Sequence, residues 1–263
     1  MSDHQPVAAR PSATIVVVRQ GESAAEVLLV RRRAGDAFGD SYAFPGGVVD
    51  HDEATAHDYC DGRSARDACA ILETTDGLDY YSAAIRELFE ETGILLARDT
   101  AGQWLGECGA LEEPRIRVDK GELPWRDFLD QQGLRMAADS LHYFAHWETP
   151  LMRPKRWTTR FFLAELPTGQ IACHDGSEVT DSRWIVPADA LAEGEKGVLP
   201  MPFPTTRILG DLSQFDSVDE VIAWAKNQPA AGIVKIRPII LMENGKPKIV
   251  APGDPGFDQA HQS

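Results

Sequence analysis

The segment RELFEETGIL, at residues 86–95, restricts what this chain can fold into more than any other part of it. Apolar side chains recur at helical spacing over residues 79–92, which predicts an amphipathic helix. Gly93 follows directly and is typical of the left-handed residue that ends a helix. The chain is therefore expected to place a glutamate-rich helical turn just before a sharp change of direction.

Three glutamates of this helix, Glu87, Glu90 and Glu91, have the i, i+3 and i+4 spacing that puts side chains on one helix face. Their carboxylates repel one another unless a cation neutralises them, and hard divalent cations do so through oxygen ligands. Mg²⁺ keeps water and substrate phosphates in its remaining positions, so the pattern predicts a metal–phosphate site. The alternative is a solvated helix face on which Arg86 pairs with Glu90.

The composition is that of an ordinary folded protein, with 263 residues, 43% of them hydrophobic and 25% charged. The formal net charge of −15 disfavours nucleic-acid binding, because nucleic-acid backbones carry the same sign. No apolar run approaches the length of a membrane span, and the first residues lack the apolar core of a secretory signal, so we expect a cytoplasmic protein. A protein this acidic needs local basic patches or bound cations to handle phosphates.

The four cysteines include no CxxC pair, which predicts free thiols in a reducing compartment. Cys173 and His174 are adjacent, but no second pair at metal-ligand spacing accompanies them. The sequence therefore does not support a zinc site.

The order of elements predicts one α/β domain at residues 13–255, between flexible tails at residues 1–12 and 256–263. Mixed polarity marks residues 54–78 as a surface insertion, with a short helix over residues 64–73. No internal repeat or low-complexity linker interrupts the rest. A single domain with decorations therefore fits best.

β-branched and alternating patterns predict the remaining strands, and 3.6-residue patterns predict the helices. The strands are expected at residues 13–18, 26–30, 42–44, 103–111, 141–149, 159–166 and 182–186. The helices are expected at residues 124–134, 187–194, 204–215 and 217–228. A hairpin over residues 235–254 is predicted to turn at Asn244–Gly245.

The glutamate-rich helix, together with the preceding FPGGVVDHDE, resembles the signature of the Nudix hydrolase family. That signature is Gly, five residues, Glu, seven residues, then Arg-Glu, an aliphatic residue, any residue, Glu-Glu, any residue, Gly and an aliphatic residue. The first half matches at Gly47 and Glu53. The second half matches without a gap at Arg86, Glu87, Leu88, Glu90, Glu91, Gly93 and Ile94. The spacer departs from the family, since it runs from residue 54 to residue 85.

This resemblance implies a mixed β-sheet between helices and a Mg²⁺ or Mn²⁺ ion that helps water attack a diphosphate. The site residues it implies are the metal ligands Glu53, Glu87, Glu90 and Glu91, the orienting Arg86, and the substrate-binding Gly46 and Gly47. The long spacer leaves an intact site physically reasonable, because loop-closure entropy grows only logarithmically with length.

A second segment, HWETPLMRPKRWTTRFFLAEL at residues 146–166, is similar to the branch of this family that contains coenzyme A diphosphatases. It is also the most basic stretch of the chain, and coenzyme A carries a diphosphate and a 3′-phosphate that need cationic partners. The substrate-binding residues implied here are Arg153, Arg156 and Arg160, with Lys155 beside them. The expected reaction converts coenzyme A or acyl-coenzyme A to 3′,5′-ADP and a phosphopantetheine.

A general base is expected on a loop outside the helix, with Glu178 as the catalytic candidate and His174 or Asp175 as alternatives. Two other functions stay open. One is a broader hydrolase for ADP-ribose, NADH or nucleotide sugars, and the other is a non-catalytic nucleotide-binding regulator. The oligomeric state is also open, with a homodimer among the options.

Overall fold

The structure, a computed structural model, describes residues 6–33, 40–174, 178–243 and 245–258. Its strands are β1 (Arg10–Gln20), β2 (Ala25–Arg32), β3 (Tyr42–Ala43), β4 (Gly46–Val48), β5 (Ala97–Asp99), β6 (Leu134–Met136), β7 (His142–Glu148), β8 (Trp157–Glu165), β9 (Val179–Ile185), β10 (Lys235–Ile236), β11 (Ile239–Glu243) and β12 (Lys246–Val250). Its helices are α1 (Ala65–Leu72), α2 (Gly77–Thr92), α3 (Glu112–Asp119), α4 (Trp125–Gln132), α5 (Pro187–Glu195), α6 (Phe203–Leu212) and α7 (Val218–Ala231). Short 3-10 helices cover Glu53–Tyr59, Gly109–Leu111 and Ala138–Ser140. Among the helices of this described part, none is both long and apolar enough to cross a membrane.

Eight strands form one mixed sheet. The main path runs β10-β7-β8-β1-β2-β3, with β4 paired to β1 and β9 paired to β2. β1 is parallel to β8 and β10 is parallel to β7, whereas the other pairs in this sheet are antiparallel. The predicted hairpin of β1 and β2 is therefore present, and the parallel β1–β8 pair brings the start of β1 beside the start of β8.

Both faces of the sheet are buried, because alternate residues of β1 enter two different apolar clusters. Ile15 and Val17 pack in the cluster that contains the apolar face of α2. Val16 and Val18 pack in the cluster that contains α6 and α7. The sheet thus lies between helices, which confirms the predicted mixed α/β fold.

Helix α2 begins at Gly77, slightly before the predicted start. A Cβ at Gly77 would collide with the backbone of α1 at Ala68, so the glycine permits close approach of the two helices. The helix ends as predicted at Gly93, whose φ of 71° is left-handed and whose N–H donates to the carbonyl of Phe89. Both ends of α2 are therefore fixed by glycine.

Residues 54–78 contribute more to the core than a surface insertion would. The predicted short helix is present as α1, and the Ser64 side chain caps its first turn. Ala56, Ala68 and Leu72 are buried in the same apolar cluster as α2. The expectation of a purely superficial insertion is therefore wrong, because these side chains complete the packing around α2.

The folded part of the chain extends past both predicted tail boundaries. Strand β1 begins at Arg10, which pairs with Trp157 of β8, so residues 10–12 belong to the sheet. Phe257 is buried, so packing also continues beyond residue 255. The pairing with β8 explains the earlier start, since it could not be read from local sequence.

The predicted strand at residues 103–111 is wrong. This stretch is irregular, apart from an isolated bridge at Trp104 and the 3-10 helix at its end, and glycines at positions 106 and 109 interrupt its apolar run. Helix α3 follows it and was not predicted, because its sequence EEPRIRVD has no apolar stripe. The segment after the glutamate-rich helix is thus more helical than the sequence suggests.

The predicted C-terminal hairpin is present as β11 and β12, but β10 leaves it and pairs with β7 in the main sheet. Gly245 has a left-handed φ of 78°, as a hairpin turn requires. Its predicted turn partner, Asn244, lies outside the described residues. The C-terminal segment therefore contributes to both the sheet and the separate hairpin.

Candidate active site

A cavity of about 1230 Å³ lies between the last turns of α2 and the strands β7 and β8. One wall carries the predicted site residues Gly46, Gly47, Glu53, Arg86, Glu87, Glu90 and Glu91. The i, i+3 and i+4 spacing on α2 thus places three carboxylates on one side of a cavity large enough for a nucleotide-sized ligand.

Arg86 joins the two halves of the signature. Its Nε donates to Glu53 at 2.8 Å, and its Nη1 lies 2.8 Å from Glu90 and 3.0 Å from Glu87. Its Nη2 also donates to the Val48 carbonyl at 3.2 Å. The same nitrogen lies 3.3 Å from the carboxylate of Asp50. We call Arg86 and these three glutamates the acidic centre, since one guanidinium faces several carboxylates there.

Glu53 reaches this centre although the long spacer follows it in sequence. It is only 2% exposed, and its carboxylate accepts hydrogen bonds from Arg86 and from the hydroxyl of Ser82 on α2. Burial raises the pKa of Glu53 to about 7, against the opposing effect of Arg86. The structure therefore places Glu53 against the helix, and the spacer closes without displacing it.

Glu91 binds the glycine-rich loop. Its carboxylate accepts from the Gly46 N–H and from Arg32 Nη2, both at 3.0 Å. Gly46 has φ of 147°, and a Cβ there would collide with the backbone of Ala13. A Cβ at Gly47 would instead collide with the carboxylate of Glu87. Gly46 thus permits the close approach of this loop to β1, and Gly47 permits its close approach to Glu87.

The glutamates carry more negative charge than their surroundings neutralise. Burial, with the neighbouring carboxylates adding to it, raises the pKa of Glu90 and of Glu91 to about 8. Burial also raises the pKa of Glu87, and the charge of Glu178 adds to that effect. A bound cation would offset the charge of the deprotonated carboxylates, and it would displace protons that the raised pKa values hold more tightly.

A divalent cation fits this wall by its donor chemistry. Outside the undescribed stretches, no three His, Cys, Asp or Glu side chains are already arranged to hold an ion together. The Arg86 guanidinium lies between the Glu87 and Glu90 carboxylates instead. The available donors are all carboxylate oxygens, the ligand type that Mg²⁺ and Mn²⁺ prefer. Glu87, Glu90 and Glu91 are the residues that could hold the ion, with Glu53 beside them.

Glu178 lies on the same cavity, at the start of β9. Its charge raises the pKa of both Glu87 and Glu91, so its carboxylate acts on the same site. Its backbone carbonyl accepts from the Arg33 N–H at 2.9 Å, which ties this strand end to β2. Of the two alternatives, His174 does not line the cavity, and Asp175 lies outside the described residues.

The opposite wall is basic and aromatic. Arg153 and Lys155, in the turn between β7 and β8, line it, and their contact with substrate stays a prediction. Its aromatic side chains are Trp147, Trp157, Phe161 and Phe203. The cavity thus offers carboxylates on one side and cations with flat apolar faces on the other, which suits an anionic molecule with an aromatic ring.

A family model described as the NUDT19 Nudix domain matches residues 63–205 of this chain. The chain belongs to this Nudix family. The sequence prediction of a Nudix hydrolase is therefore confirmed, and hydrolases of this family use divalent metal ions in general.

Two curated relatives are similar to this Nudix chain over part of their length. The human protein "Acyl-coenzyme A diphosphatase NUDT19" is 29% identical over 187 residues, which cover 65% of this chain and 48% of that protein. "Putative nudix hydrolase 7" from Caenorhabditis elegans is 26% identical over 194 residues, covering 73% and 57%. The chain thus spans about half the length of the curated relatives it matches.

A solved structure supports the Nudix fold over most of the chain. The Nudix hydrolase from Alicyclobacillus acidocaldarius has a TM-score of 0.74 and 29% identity, covering 82% of this chain and 96% of that one. The split signature therefore occurs in a chain whose fold matches this Nudix hydrolase over most of its length.

Two arginines predicted to bind substrate do not line the Nudix cavity. Because β8 alternates its faces, Thr159 and Phe161 line the cavity and Arg160 points to the other side. There Arg160 donates to the Leu72 carbonyl at 3.0 Å and lies 4.1 Å from the ring centre of Tyr80. Its role is to tie β8 to the end of α1 and to α2, so the predicted substrate contact is wrong.

Arg156 is also turned into the protein. It is 6% exposed and uses all three side-chain nitrogens within the fold. Its Nη2 donates to Glu148 at 2.6 Å, and its other nitrogens donate to the carbonyls of Val7 and Thr149. Arg156 therefore fixes the N-terminal segment and the end of β7, and the expectation that it contacts substrate is wrong.

Several cavity residues had no clear signal in the sequence. Arg32 contacts Glu91, although the run of three arginines from position 31 gave no means of distinguishing its members. Trp125 of α4 and Glu148 of β7 line the cavity as well. The alternation of side chains along β2 and β7 could have indicated which residues share a face with Arg32 and Glu148. Only the fold shows which of the two faces meets the cavity.

Proposed function

We propose that this protein is a divalent-metal-dependent diphosphatase that acts on coenzyme A or acyl-coenzyme A. The observation that carries the proposal is the division of one cavity into a carboxylate wall and a cationic, aromatic wall. The products would be 3′,5′-ADP and a phosphopantetheine or its acyl derivative. The name of the human relative, an acyl-coenzyme A diphosphatase, supports the same substrate class.

In this proposal Glu87, Glu90 and Glu91 hold the cation, and Glu53 assists them. Arg86 keeps Glu53, Glu87 and Glu90 in place through Nε and Nη1. Arg32 and the Gly46 N–H hold Glu91. The bound ion supplies stabilisation of charge on the diphosphate oxygens and activation of the attacking water. The Gly46–Gly47 loop leaves room for the diphosphate because neither residue has a side chain.

Glu178 is the proposed general base. It accepts a proton from the water whose oxygen forms a bond to one phosphorus, while the P–O bond of the bridge breaks and its electrons pass to the leaving phosphate. Its place beside Glu87 and Glu91, on a different element from the glutamate helix, supports this role. The aromatic side chains of the opposite wall provide stacking faces for the adenine ring.

We also propose that the folded chain acts as one catalytic domain, between short tails at its two ends. Location in the cytoplasm and assembly as a homodimer remain predictions from the sequence. Neither nucleic acid nor membrane is a proposed partner.

A substrate panel tests the proposal. The full chain with Mg²⁺ is incubated with coenzyme A, acetyl-coenzyme A, ADP-ribose, NADH and a nucleotide sugar, and products are identified by mass. We expect 3′,5′-ADP from the two coenzyme A compounds, and a reaction in ¹⁸O-labelled water would show which phosphorus is attacked. Faster hydrolysis of ADP-ribose would favour the broader hydrolase. Binding without hydrolysis of any compound would favour the regulatory module.

A further inference from the structure

Glu148, at the end of β7, is surrounded by cations from three parts of the chain. Its carboxylate lies 2.6 Å from Arg156 Nη2, 2.7 Å from Arg237 Nε and 2.9 Å from Lys235 Nζ. We call these four residues the basic centre. Glu148 itself lines the cavity, as does Pro238, which follows Arg237 directly. Glu148 therefore brings the basic centre to the edge of the cavity, although the side chains of Arg156, Lys235 and Arg237 do not themselves line it.

The centre has a surplus of positive charge, because three cations share one carboxylate. The neighbouring turn adds Arg153 and Lys155, while His146 is neutral since burial lowers its pKa to about 4. In a chain with a formal net charge of −15, this local surplus is unusual. It creates a field that attracts an anionic group.

Two of the cations keep donors available for a ligand. The side chains of Arg237 and Lys235 are 41% and 43% exposed. Arg237 contacts Glu148 through Nε, and its two terminal nitrogens have no acceptor within the described part of the chain. Arg156 differs, since its nitrogens are already used. Arg237 and Lys235, both from the segment after α7, are thus the members that can reach a ligand.

The basic centre lies across the sheet from the carboxylate wall. Between β4, which carries Gly46, and β7, which carries Glu148, the strand order places β1 and β8. Three strand spacings separate the two positions by roughly 14 Å, and long side chains from both sides shorten the gap. One ligand that touches both walls must therefore carry a second anionic group besides its diphosphate.

We propose that Lys235 and Arg237, held in place by Glu148, form a subsite for a phosphomonoester of the substrate, namely the 3′-phosphate of coenzyme A-type nucleotides. This inference rests on the proposed function and assigns the recognition of that phosphate to the C-terminal segment. Arginine binds phosphate oxygens through paired N–H groups, and lysine adds a mobile point charge. Neither Lys235 nor Arg237 takes part in the bond-breaking step.

The test compares coenzyme A with 3′-dephospho-coenzyme A, which differ only in this phosphate. We expect Arg237→Met and Lys235→Met each to lower the preference in kcat/KM for coenzyme A by about tenfold, the size expected for losing a hydrogen bond to a charged group. The matched control is Lys248→Met, whose ammonium contacts Glu243 on the separate hairpin. That variant should keep the wild-type preference.

A different result is expected if Lys235 and Arg237 only hold β10 against β7 and do not contact the substrate. Both substrates would then lose kcat/KM by the same factor, and the preference would stay at its wild-type value, which would overturn the proposal. Thermal melting of each variant identifies a folding defect, and Arg237→Lys, which keeps the charge, should retain part of the preference.

A binding measurement separates failure of this inference from failure of the proposed function. If the chain hydrolyses neither compound, the proposed function fails, and calorimetry then compares adenosine 3′,5′-bisphosphate with adenosine 5′-monophosphate. Tighter wild-type binding of the bisphosphate, lost in Arg237→Met, would still support the subsite. Equal wild-type binding of the two nucleotides would overturn it.

Discussion

The acidic centre lines the cavity, the basic centre borders it at Glu148, and the two centres carry excess charge of opposite sign. The acidic centre is Arg86 with Glu53, Glu87 and Glu90. The basic centre is Glu148 with Arg156, Lys235 and Arg237. Arg86 contacts four carboxylates, since Asp50 lies 3.3 Å from its Nη2, and Glu148 contacts three cations, so each centre keeps a surplus of charge. The comparison teaches that one cavity can favour a bound cation at one side and a bound anion at the other.

The two centres differ in burial, and this difference determines how much the burial of charge destabilises each one. The Arg86 and Glu53 side chains are 10% and 1% exposed, and burial raises the pKa of the surrounding glutamates. In the basic centre burial alone would raise the pKa of Glu148, but hydrogen bonds from Lys235 and Arg237 hold it below its ordinary value. The acidic centre should therefore be stabilised more by a bound ion of opposite charge than the basic centre.

The largest expected effect follows from removing the central cation of the acidic centre. Arg86→Met leaves buried carboxylates without a partner, and breaking such a pair costs about 3–5 kcal/mol of unfolding free energy. Urea unfolding without metal measures this loss, and Mg²⁺ should restore more stability to this variant than to the wild type. Arg117→Met, which removes an exposed arginine of α3, is the control. A loss no larger than that of the control would contradict the comparison.

The next effect concerns catalysis. Glu90→Gln keeps the size of the side chain and removes its charge, so we expect the rate to fall by at least about a hundredfold, as for other losses of a main charge-stabilising group. Steady-state hydrolysis with Mg²⁺ measures it, with the exposed Glu113→Gln as the control. A rate close to wild type would refute the role given to Glu90.

A smaller effect is expected at the basic centre. Glu148→Gln leaves its cations unpaired, but Lys235 and Arg237 are partly solvated, which reduces the loss to about 1–3 kcal/mol. Inorganic phosphate should recover part of this stability, and Mg²⁺ should not. The control is Glu243→Gln, which removes the exposed partner of Lys248. Recovery by Mg²⁺ with no response to phosphate would reverse the assignment of the two centres.

The smallest effect is a pH dependence of metal-induced stabilisation. The pKa values of Glu53, Glu90 and Glu91 rise from 4.5 to about 7, 8 and 8. Between about pH 4.5 and 8, these three carboxyl groups bind more protons in the folded chain than in the unfolded chain. The free energy of unfolding of the metal-free protein should therefore fall as the pH rises through this range. Mg²⁺ binds the deprotonated form, so its effect on Tm should grow over the same range, by a few degrees. A Tm shift independent of pH would contradict this.

Helical spacing made the three glutamates of α2 predictable, whereas pairing in the sheet hid most of the basic centre. Glu87, Glu90 and Glu91 lie within two turns of α2, so their common face follows from 3.6-residue periodicity alone. Arg153 and Lys155 were also found, because they occupy the turn between β7 and β8. Arg160 was assigned to the substrate incorrectly, since its direction depends on which face of β8 meets the cavity. Arg156 was assigned incorrectly because its partners, Glu148, Thr149 and Val7, are brought to it only by the fold.

The sequence by itself determined the family, the glutamate helix with its Gly93 end, and the presence of helix α7. These features depend on spacings of a few residues, for which backbone geometry leaves little choice. Only the tertiary structure decided that Glu53 returns to Arg86, that residues 54–78 enter the core, and that Arg237 meets Glu148. Such contacts join distant parts of the chain, and the strand order that brings them together is not contained in any local pattern.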